Sequence, residues 1–410
     1  VKRIVITTSN QWTRNAEEAL KNQQIPVQRI LLHDMEQSLI SWGAFDLTEN
    51  YGSVPIAQKE LRPHQIDALT AVMDGFKEAD RGKVIMACGT GKTLVSLRIA
   101  EEFFKKKKTP STVLFLAPSI SLLSQTIMEW GQNKKFPYMA LAVCSDAKVG
   151  KKDDDDMQVT DLAIPASTDV EKLGAALANR GTKNLVIFST YQSLEIISKA
   201  QNGKKNPLSE FDLVVCDEAH RTTGVTTAAK AAVEDFSHFV RIHDNGYVKA
   251  SKRLYMTATP KIYKDVDNKV AESGGVIASM DDPEKFGEEF YRLGFGTAVE
   301  RGLLSDYRVL ILAVDEEYVA RVDLERFRSE DSTINLDDAS KLLGCWRGLS
   351  KIKTQGEDVD DIPMKRAVAF ANTIDASQVL AKRLEIVGRT ANRPMEGNQG
   401  LSLQTKHVDG

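Results

Sequence analysis

The stretch Met86-Ala87-Cys88-Gly89-Thr90-Gly91-Lys92-Thr93 sets two glycines, a lysine and a threonine between the apolar run Val84-Ile85 and the periodic segment Leu94-Val95-Ser96-Leu97-Arg98-Ile99-Ala100. A strand that runs into glycines and then a helix leaves the first N–H groups of that helix without backbone partners, and Gly89 and Gly91 let an anion come close to them. A polyphosphate suits this chemistry. Lys92 would reach the β- and γ-phosphates, and the Thr93 hydroxyl would ligate the Mg²⁺ that bridges them. The stretch reads as a Walker A loop with one departure: Met86 holds the place of the first glycine in G-x-x-x-x-G-K-[ST], so only the G-x-G-K-T half survives. A glycine turn with an incidental lysine is the competing reading, and partners elsewhere must decide between them.

The deciding partner is acidic. The apolar run Leu213-Val214-Val215-Cys216 ends in Asp217-Glu218-Ala219-His220-Arg221. Asp217 is suited to hold Mg²⁺ through its water shell, and Glu218 to orient and deprotonate an attacking water. Upstream, Leu61-Arg62-Pro63-His64-Gln65 opens a helix in which Pro63 occupies a tolerated first-turn position. The Gln65 carboxamide has the paired donor and acceptor that an adenine edge requires. Pro118-Ser119 and Thr190-Tyr191-Gln192 follow apolar strands; they read either as plain caps or as phosphate-contacting loops.

These residues need a common edge, and the chain supplies one. Apolar runs at residues 113–117, 139–143, 185–188, 211–216 and 254–256 alternate with helical patterns, each followed by small or polar residues. That alternation specifies an α/β fold with a doubly wound parallel sheet, whose ligands bind beyond the carboxyl ends of the strands. Residues 1–45 give strands at 3–8 and 27–32 around a helix at 14–22, with a short helix at 34–42, and read as the tail of an upstream domain. The ATPase-type domain with its connector spans 46–304, and helical periodicity is expected over 286–304. A second α/β domain is expected over 305–410, with strands at 307–314 and 367–370, Phe370 packed in its core, and helices at 336–349 and 376–386.

Composition narrows the class. At 410 residues, two or three domains are expected. A net charge of −3 limits any nucleic-acid surface to a local patch. The four cysteines have no C-x-x-C or zinc-ligand spacing, and Cys88, Cys144 and Cys216 in strand-like runs read as buried reduced thiols. The charge runs at 105–108 and 151–156 read as solvated surface. No apolar run approaches the ~18 residues of a membrane span, so a cytoplasmic protein with no membrane partner is expected.

With Gln65, Met86 to Thr93, Ala117-Pro118-Ser119, Ser189-Thr190-Tyr191-Gln192, the D-E-A-H box Asp217 to His220, Thr257-Ala258-Thr259 and Ala367 to Asn372 in this order, the chain resembles superfamily-two helicases and translocases over about residues 55–410. The wordings MACGTGKT, APSISLLSQT, FSTYQSL, CDEAHRTTG and LYMTATP are most similar to Mrr-nuclease-linked helicases, including single-polypeptide type ISP restriction-modification enzymes. The resemblance implies a RecA-like domain followed by an incomplete second RecA-like domain, with ATP and Mg²⁺ as cofactors. It implies nucleotide binding by Arg62, Gln65, Gly89, Thr90, Gly91, Lys92 and Thr93, metal binding by Thr93 and Asp217, and catalysis by Lys92 and Glu218. It further implies coupling through His220, Thr257 and Thr259, and DNA contacts at Pro118, Ser119, Thr190 and Gln192.

The expected partners are double-stranded DNA and nuclease, methyltransferase and target-recognition domains of the same polypeptide. Motifs V and VI have no counterpart before Gly410, so the 410-residue piece is expected to be a weak ATPase. The expected activity is ATP-dependent translocation on double-stranded DNA for restriction-modification or phage defence. The alternatives are a strand-separating DNA or RNA helicase, and an ATP-gated nucleic-acid clamp without turnover.

Overall fold

The structure, a computed structural model, describes residues 58–106, 109–144, 180–203, 207–226, 239–263, 276–307, 336–350, 364–371, 373–391 and 404–406, with 3–7, 27–30 and a few isolated positions. Most of the expected helices at 14–22 and 34–42, the charge run at 151–156 and the expected strand at 307–314 lie outside these residues. Two compact units divide the chain, Val1–Val149 with Met157–Ser305 and Gly150–Asp156 with Asp306–Gly410.

In the first unit, β1 (Arg3–Ile6) and β2 (Val27–Ile30) pair in parallel. Helix α1 (Pro63–Glu78) starts where Pro63 fits the first turn and the Gln65 side chain reaches back to the Arg62 N–H at 2.9 Å. Ala68, Val72 and Phe76 form its buried stripe at helical spacing. There follow β3 (Arg81–Met86), α2 (Lys92–Lys106), β4 (Thr112–Ala117), α3 (Ile120–Asn133), β5 (Tyr138–Val143) and β6 (Asn184–Thr190). A 3₁₀ turn at Tyr191–Ser193 leads into α4 (Leu194–Gln201), then β7 (Leu213–Cys216), β8 (Gly224–Thr226) and β9 (Arg253–Thr257). The unit finishes with β10 (Val276–Ala278), α5 (Pro283–Phe286), β11 (Glu288–Leu293) and α6 (Phe295–Glu300). Strands β8 and β10 form a separate antiparallel pair.

The main sheet has seven strands in the order β11-β3-β9-β7-β4-β6-β5. Every pairing in it is parallel. Successive side chains alternate between faces: Val84 and Met86 join the core beneath α1, α2 and α3, while Ile85 joins the opposite core with Leu114, Leu116, Ile187 and Ile197. This is the expected doubly wound α/β sheet. Because its strands share one direction, Met86, Ala117, Thr190, Cys216 and Thr257 all end at one edge.

Three expectations need correction. Residues 286–304 are not a continuous helix; β11 occupies Glu288–Leu293 and pairs with β3. The reason is tertiary: the Phe290 ring lies where a Cβ on Gly82 would come within 2.2 Å, and it meets the Phe76 ring at 5.3 Å. Residues 367–370 form no strand and Phe370 is 93% exposed; among the described residues no strand pairs with this run, and four apolar residues do not hold a strand by themselves. Cys144 and Cys216 are buried, but Cys88 is exposed, because it stands in the loop beyond β3.

In the second unit, α7 (Leu336–Ser350) and α8 (Ile374–Ala391) are joined by an ion pair of Arg383 Nη1 and Asp338 Oδ2 at 2.8 Å. Among the described residues, no helix is long and apolar enough to cross a membrane.

The segment before β9 is held by a buried histidine. His243 Nε2 faces the Thr222 carbonyl at 3.2 Å, so it donates, which leaves Nδ1 to accept the Tyr255 hydroxyl at 2.9 Å. The neutral ring satisfies both partners. Burial pushes its pKa from 6.5 down to about 4, and Arg81 and Lys285 also oppose a positive charge. The unfolded chain therefore takes up a proton over this interval that the folded chain refuses, so stability is complete above pH 6.5 and falls as pH drops toward 4. At about 1.4 kcal/mol per pK unit the loss approaches about 3 kcal/mol. Urea unfolding of the wild type and of His243→Gln across that range checks this: the difference between them should shift by about that amount, and parallel profiles would refute it.

Candidate nucleotide-binding site

Strand β3 delivers the chain into the Gly89–Thr93 loop, and the loop's shape follows from its glycines. Gly89 has φ +81° and Gly91 has φ +88°, a region that glycine enters without penalty. A Cβ on Gly91 would also lie 2.2 Å from Gln65 Nε2. Thr90 closes the turn, its hydroxyl donating to the Ala87 carbonyl at 2.7 Å. The Thr90 carbonyl in turn accepts two buried side chains from α1, His64 Nε2–H and Gln65 Nε2–H, each at 3.0 Å. Lys92 begins α2 and rests its ammonium 3.3 Å from the Met86 carbonyl. At Thr93 the backbone carbonyl accepts the indole N–H of Trp130, a fully buried residue of α3, at 3.2 Å.

The acidic pair lies at the same edge, beyond β7. Burial, and next the charge of Glu218, push the Asp217 carboxyl up to about 6, while Lys92 and the Glu218 N–H act in the other direction. Only β9 separates β3 from β7, so the parallel order sets the Gly89–Thr93 loop and the acidic strand end at one edge, and the Lys92 charge acts on Asp217 there. Glu218 has φ +48° and ψ +46°, the one positive φ of a non-glycine among the described residues. This left-handed backbone costs about 1 to 2 kcal/mol and persists only where the surroundings hold it, a situation concentrated at functional sites. His220 Nδ1 lies 3.2 Å from Glu218 Oε2 and 3.0 Å from Thr257 Oγ1. Burial lowers the pKa of this imidazole, with Glu218 opposing, and so favours the neutral ring. Thr257 Oγ1 also accepts the Thr259 N–H at 3.2 Å. Glu218, His220, Thr257 and Thr259 thus form one connected chain.

Gln65 sits in this frame as a brace, with Oε1 on the Arg62 N–H and Nε2 on the loop. Each polar atom of its carboxamide keeps capacity for a further partner. Arg62 enters through its backbone and is exposed at the N-cap of α1.

The two loops beyond β4 and β6 also reach this edge. Ser119 caps α3 by accepting the Leu122 N–H, and Pro118 is buried. Thr190 is buried with its hydroxyl 3.2 Å from Ser193 Oγ, whereas Gln192 is exposed. Pro118 and Thr190 therefore shape these loops from within, and Ser119 and Gln192 are the members that reach the surface.

Sequence reasoning missed His64, Trp130 and Tyr191 as parts of the site. His64 stands beside Gln65, and that adjacency was a signal. Tyr191 stands inside the Thr190–Gln192 motif, but nothing local shows that its hydroxyl donates to the Asp217 carbonyl at 2.8 Å, and nothing in the sequence marks Trp130, whose partner lies 37 residues away.

Parallel strands flanked by helices, with a glycine loop and an acidic strand end at one edge, define a RecA-like domain of the helicase type. Residues 58–262 match the family described as type III restriction enzyme, res subunit, and the chain belongs to that family. Residues 1–51 match a restriction endonuclease family. Among solved structures, the chain is similar to the ATP-dependent type ISP restriction-modification enzyme LlaBIII bound to DNA, with 37% identity over 94% of this chain and 25% of that one, and a TM-score of 0.79. It is also similar to a nuclease-deletion mutant of the type ISP enzyme LlaGI in complex with a DNA substrate mimic, with 34% identity over 81% of this chain and 22% of that one, and a TM-score of 0.56. The chain spans about a quarter of the length of these two enzymes. A search of curated proteins returned no match.

Proposed function

We propose that this chain is the ATP-driven motor of a restriction-modification enzyme, translocating on double-stranded DNA. The observation that carries this reading is the meeting of the Gly89–Thr93 loop with Asp217 and Glu218 at the same sheet edge as the Ser119 and Gln192 loops. The similarity to two type ISP enzymes solved with DNA or a DNA mimic supports duplex DNA as the track. The restriction endonuclease match over residues 1–51 supports a nuclease in the same polypeptide, and this reading adds methyltransferase and target-recognition domains and a cytoplasmic location.

In this reading the loop's N–H groups and Lys92 receive the β- and γ-phosphates, and Gln65, with Arg62 nearby, borders the adenine. The donor set fits Mg²⁺: the Thr93 hydroxyl and the Asp217 carboxylate are hard oxygen ligands of the kind this ion takes. When bound, this ion neutralises charge on the phosphates. Glu218, at the strand end beside His220, accepts a proton from the attacking water. His220 carries the state of Glu218 to Thr257 and Thr259. Ser119 and Gln192 touch the DNA backbone, a contact that positions the motor without reading sequence.

ATP turnover of the full-length chain without DNA, with single-stranded DNA and with duplex DNA tests this. Duplex should stimulate most. Preference for single strands would replace the reading with strand separation, and tighter DNA binding in ATP without turnover would replace it with a clamp.

A further inference from the structure

Asp217 is held on both sides of its α-carbon, and the peptide joining it to Glu218 is held through its carbonyl. The Asp217 N–H donates to the Leu116 carbonyl in β4 at 2.9 Å, and the Asp217 carbonyl accepts the Tyr191 hydroxyl at 2.8 Å. A carbonyl and the following N–H lie in one rigid plane, so turning that plane changes ψ of Asp217 and φ of Glu218 together. Such a turn is the direct way for Glu218 to leave its left-handed conformation at φ +48°. The Tyr191 hydroxyl opposes it, because the turn would carry away its acceptor and leave a buried phenol without that bond.

Tyr191 is well placed for this. Its side chain is fully buried, its ring meets Phe239 at 5.3 Å, and its backbone opens the 3₁₀ turn that carries the exposed Gln192. One residue thus touches both the peptide that sets Glu218 and the loop that presents Gln192.

We infer that Tyr191 is a positioning residue, whose hydroxyl keeps Glu218 in its strained backbone beside His220 and links the Gln192 loop to hydrolysis. The inference rests on the proposed role of Glu218 as the base. The Tyr191 hydroxyl bonds to the acidic strand end and not to the Gly89–Thr93 loop, so its loss should slow turnover and leave nucleotide affinity alone. A tyrosine that merely filled the core would affect melting and nothing else.

The test is Tyr191→Phe in the full-length chain, which removes one oxygen and keeps the ring. Affinity for a fluorescent ATP analogue, thermal melting, and turnover per bound nucleotide with and without duplex DNA are measured together. We expect kcat to fall about tenfold, the effect of roughly one lost hydrogen bond, with KM and analogue affinity within about twofold of wild type and weaker stimulation by DNA. Normalising to bound nucleotide keeps the result readable if part of the protein fails to fold. Unchanged turnover per bound nucleotide, even with a lower melting temperature, overturns the inference, and so does a parallel loss of affinity. Wild-type protein that binds the analogue and never turns over ATP overturns the proposed function, and that result is visible before any variant is made.

Discussion

Glu218→Gln is expected to bind ATP as well as wild type does and to lose turnover by about 10² to 10⁴-fold, the range a general base contributes. The amide keeps the size and an acceptor oxygen for His220, 3.2 Å away, so the backbone at φ +48° has no reason to change. What disappears is the proton acceptor. Lys92→Ala should behave in the opposite way, losing a charged phosphate partner worth about 1.5 to 3 kcal/mol, or about 10- to 150-fold in affinity. Equilibrium titration with a fluorescent ATP analogue and a steady-state phosphate-release assay separate the two. Equal ATP affinity in wild type and Lys92→Ala would remove the loop from the nucleotide site, and a Glu218→Gln protein with full turnover would remove Glu218 from the chemistry.

The second large effect concerns stability. Glu101 on α2 is 1% exposed and pairs with Arg98 Nη1 at 2.7 Å, while its other oxygen accepts the N–H groups of Lys135 and Phe136. Arg98 in turn donates to the carbonyls of Asn133 at 2.9 Å and Lys59 at 3.2 Å. This network ties α2 to the chain beyond α3 and to the segment entering α1. Glu101→Ala would strand a buried guanidinium and two backbone donors, and a broken buried pair of this kind costs about 3 to 5 kcal/mol. Glu101→Gln keeps an acceptor and should lose less. Urea unfolding at neutral pH measures both, and a loss under about 1 kcal/mol for the alanine variant would mean that water reaches the pair.

The sheet and its nucleotide edge were legible because their signals are local. Apolar runs such as Val113 to Ala117 bury both faces of a strand, and a parallel sheet demands that. Gly89 and Gly91 announced a loop that an anion can approach closely, and the structure gives both a positive φ that only glycine enters without penalty. The residues between 286 and 304 were misread because β11 is stabilised from outside itself: Phe290 finds the space above Gly75 and Gly82, which no window of sequence reveals. Phe370 failed in the reverse direction, since an apolar run promises a strand only through pairing, and among the described residues no strand pairs with it.

By itself, then, the sequence determined which chemistry this protein can do, because a glycine loop with Lys92 and Thr93 and an acidic pair at Asp217 and Glu218 are sets of functional groups whatever surrounds them. Only the tertiary structure decided how those groups are held. His64 and Gln65 converge on one carbonyl, Trp130 grips Thr93, and Tyr191 holds the peptide that gives Glu218 its left-handed backbone. Each of these contacts joins residues 25 to 37 positions apart. Their geometry depends on the order in which parallel strands assemble, and local propensity carries no record of that order.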